Sequence, residues 1–212
     1  MAIGLVTAFG SSGARATDGT WNGTTSNQWN DGTNWSSTPN APDGVATFTT
    51  NNPTSITISG AVVTTAISTV QFNAGASAYT FTVGNTMDFE TNGTVTAQGI
   101  VNNSTATQTF INNSTMVFHG TTSAGNANVN ITNNHNLIFT ANSTGGNAAI
   151  MNTSVVDFSQ STGLNNDGKL SAGSIAGSGF FDLGANQLTV GGNNQSTVVT
   201  GVVADGGGAG GL

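Results

Sequence analysis

A pattern that returns about every twenty residues constrains this chain more than any other property. Phe110-Ile-Asn-Asn-Ser-Thr-Met-Val-Phe118 is followed by Ile131-Thr-Asn-Asn-His-Asn-Leu-Ile-Phe139 and by Ile150-Met-Asn-Thr-Ser-Val-Val-Asp-Phe158, at spacings of 21 and 19 residues. Four columns result: Phe110, Ile131 and Ile150; Asn112, Asn133 and Asn152; Met116, Leu137 and Val156; Phe118, Phe139 and Phe158. Gly125-Asn126 and Gly146-Asn147 repeat between the copies, so turns recur with strands. Short strands at a fixed period are the signature of a solenoid, whose units cannot bury their own apolar side chains and must stack on one another.

Two all-β architectures compete. A sandwich or barrel gives no reason for equal spacing of chemically matched residues. A parallel β-helix demands it, because residues one coil apart sit about 4.8 Å above one another. Stacked Asn amides can hydrogen-bond along the axis and stacked Phe rings can fill the interior. Strand-like runs span 45–49, 55–59, 69–72, 79–83, 86–89, 94–97 and 107–111 before the later repeats, and Gly, Asn and Thr break up any helical period. The expectation is an all-β fold made of a single parallel β-solenoid over 45–205, with room for about eight coils in a rod of about 40 Å.

Composition narrows the function. Charged residues are 5% of the 212, far below the usual quarter, and the net charge of -7 opposes nine acids to Arg15 and Lys169 alone. Two cations cannot form a phosphate-binding face, so no nucleic-acid partner is expected. Without cysteine, neither disulfides nor thiolate metal sites are available. No apolar run has the length of a membrane-spanning helix, so no membrane insertion of this chain is expected. Residues 1–16 combine a short apolar stretch with Ala14-Arg15-Ala16, the small-x-small form of a signal cleavage site, and read as a signal-peptide remnant or else a leader.

The segment 17–44 holds all three tryptophans, Trp21, Trp29 and Trp35, just before the first coil. It reads as a cap over the open end of the solenoid, the alternative being a sugar-stacking platform. The Gly-rich 206–212 offers no cap at the other end, so the natural protein is expected to continue there, and end-to-end stacking is an available mode of self-association.

Candidate chemistry is sparse. Asp88 and Glu90, flanking Phe89, are the best carboxylate pair for glycoside hydrolysis, with Asp157 and the Asp167 region a looser one. His119 and His135 have no acid or thiol at ligand spacing, Lys169 alone is poor provision for a lyase, and no nucleophile elbow is present. The expectation is no catalytic residue, no cofactor and no metal. Columns of Thr-x-Thr that would mark an ice binder are not visible.

Trp21, Trp29, Asn34-Trp35, Pro42-Asp43, Ala46 and Phe48, together with Ala172-Gly-Ser-Ile175, Gly177-Ser-Gly-Phe180, Leu183-Gly-Ala-Asn-Gln-Leu-Thr-Val-Gly-Gly192 and Val199-Thr-Gly-Val-Val203, resemble bacterial autotransporter passenger domains with autotransporter-associated β-strand repeats. The resemblance covers nearly the whole chain and its motifs are structural. It implies a right-handed parallel β-helix, secreted or displayed outside the outer membrane of a Gram-negative bacterium, lacking the translocator barrel. The corresponding function is a non-catalytic structural or adhesive fragment whose partners are host or bacterial surface glycans or proteins. A carbohydrate-binding module using the tryptophans or an Asn/Thr-rich face is the second reading, and a polysaccharide-active enzyme the third.

Overall fold

The computed structural model describes residues 16–50, 52–91 and 96–205. The signal-peptide reading of 1–16, save its last residue, the Gly-rich tail at 206–212 and the first half of the strand expected at 94–97 lie outside the described residues.

The chain winds through seven stacked turns that build three faces, with two or three strands to each turn. β1 (Gly19–Thr20) precedes the first full turn, which comprises β2 (Val45–Phe48), β3 (Ser55–Ile58) and β4 (Thr64–Ile67). The second turn is β5 (Thr69–Phe72), β6 (Thr80–Val83) and β7 (Thr86–Phe89), and the third β8 (Gly99–Asn102), β9 (Gln108–Asn112) and β10 (Thr115–Phe118). β11 (Val129–Asn133) and β12 (Asn136–Ala141) belong to the fourth, β13 (Ala149–Asn152) and β14 (Val155–Ser161) to the fifth. β15 (Lys169–Ser171), β16 (Ser174–Ala176) and β17 (Phe180–Asp182) make the sixth, and β18 (Gln187–Thr189) and β19 (Val202–Ala204) the seventh.

Strands of successive turns pair in parallel. The first face runs β1-β2-β5-β8 and continues through single bridges at Ser123 and Thr144. Thr144 Oγ1 accepts from the Ser171 N–H, which ties that face to the β15-β18 pair. The second face is the six-stranded β3-β6-β9-β11-β13-β16, and the third the seven-stranded β4-β7-β10-β12-β14-β17-β19. Seven turns fill the span expected to hold eight, because the turns from Phe89 to Phe118 and from Asp157 to Asp182 take 29 and 25 residues against the 21 and 19 of the repeat. Strands β4 and β8, not foreseen, are four-residue segments whose ladders come from a neighbouring turn, β7 for β4 and β5 for β8.

Alternation of side chains along each strand sends one set inward. On the second face Ile56, Phe81, Phe110, Ile131, Ile150 and Ile175 stack in register. On the third, Phe89, Phe118, Phe139 and Phe158 form a pile of rings with centroids 4.5, 5.1 and 4.6 Å apart and planes within 8–12°. All four are fully buried, each worth about 1.5–3 kcal/mol of transfer free energy. The shared interior is a single apolar column from Trp21 to Leu188.

Close turns need glycine at particular points. Gly146 has φ +62°, and a Cβ there would run into the Gly125 carbonyl oxygen one turn below, which accepts the Asn147 N–H at 2.8 Å. The recurrence of Gly-Asn thus reflects backbone passing directly over backbone.

Candidate functional site

The three tryptophans are buried, at 0, 0 and 1% exposure, so none offers a ring face to solvent. Their segment tracks the solenoid as an irregular turn: the Trp21 N–H donates to Thr47 O, the Trp29 N–H to Thr57 O, and Asn30 Nδ2 to Ser59 O. A 3-10 turn at Gly32–Asn34, its N-terminus held by the Asp31 side chain, then folds the chain back so that Trp35 bridges Trp21 antiparallel. Asn34 fixes this fold from inside, accepting from the Thr25 and Ser26 N–H groups and donating to Gln28 O. Trp35 packs edge-on against Trp21 at 5.0 Å, Trp29 at 4.7 Å and Phe48 at 5.7 Å. Its Nε1 donates to Trp29 O, and that of Trp21 to Pro53 O. Trp29 Nε1 finds no acceptor among the described residues.

Asn112, Asn133 and Asn152 occupy one buried column at the corner between the second and third faces. Asn112 Nδ2 donates to Asn133 Oδ1 at 2.7 Å, and Asn133 Nδ2 to Asn152 Oδ1 at 2.9 Å. Each amide also reaches a carbonyl of the next turn, Asn136 O, Val155 O and Phe180 O respectively. A second ladder runs outside it: Asn134 Nδ2 donates to Asn113 Oδ1, and Thr153 Oγ1 to Asn134 Oδ1. The amides of both ladders thereby hold the register between neighbouring turns.

The third face gathers charge. Asp88 and Glu90 flank buried Phe89 on the outside, as the sequence suggested. The structure adds His119 from the next turn, Nε2 lying 3.0 Å from Asp88 Oδ1, and Thr140 from the turn after, Oγ1 lying 2.8 Å from His119 Nδ1. Asp88 Oδ1 accepts no hydrogen bond, so the contact with His119 is an electrostatic one made off the donor axis. Burial lifts the Asp88 carboxyl above its ordinary pKa, against the pull of His119 and with a further push from Glu90. Thirty-one residues separate Asp88 from His119, and only the alignment of Phe89 with Phe118 reveals that they meet. The looser pair does not assemble: Asp157 stands in register with Asp182, and Asp167 lies in a loop 3.9 Å from Lys169. Among the described residues no three acids and histidines cluster as metal ligands.

This cluster carries a pH prediction. A carboxyl whose folded pKa stands above the unfolded 3.8 favours the fold while protonated. That contribution is fully present below 3.8 and is lost as pH rises through the raised folded value. Asp88→Asn, neutral throughout, should therefore gain stability relative to the wild type as pH rises across that window. Thermal melts of both proteins from acid to neutral pH test this, and a gap that stays constant or narrows with rising pH would show that burial does not dominate.

Two clefts lie toward the C-terminal turns. One of about 410 Å³ is lined by Ile175, Val190, Gln195, Thr197, Val199 and Val203 among others. A smaller one of about 190 Å³ lies over β11, β13 and β16 and is walled by Gln195 and Thr197. Neither is lined by a charged side chain. Comparison of the chain with family models, curated proteins and solved structures gives no match.

Proposed function

We propose that the chain is a non-catalytic extracellular rod, a structural or adhesive passenger fragment on the surface of a Gram-negative bacterium. The observation that carries this reading is the fate of its recurrent residues. The Phe pile, the Ile/Phe column and the Asn ladder all face inward and join each turn to the next. Repetition here serves length and stiffness, because every repeated contact is between neighbouring turns. The surface left over is rich in Asn, Ser, Thr and Gly, which suits a protein that is extended and hydrated without being charged. The N-terminal tryptophans support the same reading as a cover for the first turn.

Antibody labelling and protease shaving of intact cells carrying the full gene test the placement. Labelling of unbroken cells, abolished by shaving, is the expected result. Detection only after lysis would overturn it, and so would hydrolysis of a polysaccharide by the purified chain that Asp88→Asn abolishes.

A further inference from the structure

We propose that the outer surface of the second face is a docking trough for a neutral polysaccharide, a proposal that rests on the rod being extracellular and names what it adheres to. Two outward columns run along this face in register. One is Ser55, Thr80, Thr109, Asn130, Ala149 and Ser174; the other is Thr57, Thr82, Ile111, Thr132, Met151 and Ala176. None of these twelve positions is charged, although the third face carries Asp88, Glu90, Asp157 and Asp182. The columns resolve what the linear sequence hid, a surface of hydroxyls, one amide and apolar groups, one row to each turn at roughly 4.8 Å.

The ends of this surface are closed. At the N-terminal end Gln28 bridges Thr57, and Asn27 Nδ2 donates to Thr57 Oγ1. At the other end an arm at 193–197 lies over Ser174 and Ala176: Asn193 Nδ2 donates to Ser174 Oγ, and Thr197 Oγ1 to Ile175 O. Between them the face stays open across the second to fifth turns, and the 190 Å³ cleft sits where it meets the arm.

Charge complementarity selects the occupant. A lining that can donate and accept hydrogen bonds but carries no charge, on a chain of net charge -7, offers nothing to an anionic glycan or to nucleic acid. A protein partner is disfavoured because no aromatic or arginine points outward from these strands to anchor one. A neutral sugar chain laid along the axis would meet a fresh uncharged row at each turn, its hydroxyls on Thr132, Asn130 and Gln195, and its C–H surface on Met151, which is 46% exposed. Many weak contacts in a line sum by avidity.

Affinity electrophoresis of the full chain through gels containing β-glucan, xylan, galactomannan or dextran, with polygalacturonate and heparin as charged comparisons, tests this. Retardation by at least one neutral polymer and by neither charged one is expected. Thr132→Asp should weaken it about tenfold, since a desolvated unpaired charge opposes docking. Ala149→Gln, which fills the trough without adding charge, should weaken it as well, and Val155→Ser on the third face should not. Melting curves establish that the variants fold. No neutral retardation, retardation only by charged polymers, or retardation indifferent to both Thr132→Asp and Ala149→Gln would overturn the trough. Surface labelling is read separately: labelled cells without retardation overturn the trough alone, and retardation by a protein found only inside cells overturns the extracellular rod.

Discussion

Trp35→Ala should cost about 3–5 kcal/mol and lower the melting temperature by about 10 °C, the largest effect expected of any single substitution in this chain. The indole is buried to 1%, touches Trp21, Trp29 and Phe48, and holds the returning segment by its bond to Trp29 O at 2.7 Å. Its removal leaves a cavity directly over the first full turn. Stability in a stacked array is passed from neighbour to neighbour, so loss at the end frays inward. Trp29→Phe supplies the contrast. That indole N–H has no acceptor to lose, so the ring can be exchanged at much lower cost than at Trp35. Deleting 17–40 removes β1 and all three indoles, leaves the edge of β2 and Phe48 uncovered, and should give aggregation. Thermal melts and light scattering read these outcomes. An unchanged melting profile in the deletion would show that the tryptophans cover nothing the fold needs.

Asn133→Ala should destabilise more than Asn112→Ala or Asn152→Ala, by about 1–3 kcal/mol for each buried partner left unsatisfied. Asn133 accepts from Asn112, donates to Asn152, and also donates to Val155 O and His135 O. Truncating it strands Asn112 Nδ2 from one side and Asn152 Oδ1 from the other. Truncating either end residue disturbs one link of the ladder. Denaturant melts of the three variants give the order, and equal, negligible losses at all three would reduce the ladder to a set of interchangeable turn residues.

How much of this could be read beforehand depended on whether the repeat stayed regular. Between residues 110 and 158 corners are compact, so the inner Asn column and the three Phe of the third face align in the linear sequence. The pile extends to Phe89, yet the 29-residue turn from Phe89 to Phe118 puts it out of step, and with it went the approach of Asp88 to His119. The outer ladder was in plain view as Asn113 and Asn134 but ends on Thr153, a change of residue type that conceals the shared position. For the tryptophan block, sequence placed the residues at the end of the stack but could not fold the loop that buries them, because that depends on Asn34 bonding four groups brought together only in three dimensions. The trough needed the registers of six strands and an arm from the far end of the chain.

The amide column is confined to three turns, with Val83 in its place on one side and Gly177 following on the other. A stack of near-identical coils has a characteristic hazard, since a coil can dock one level out of step and still pair its backbone. Were β11 to settle on β6 in place of β9, Asn133 would lie over Val83, its carbonyl oxygen deprived of the Asn112 donor and its error felt at once in the dry interior. At about 1–3 kcal/mol for each orphaned group, such mis-stacked isomers lie well above the correct one. Three asparagines thus number the floors of the building as well as tying them together, and assembly in the wrong order is sorted out by the same amides that steady the finished rod.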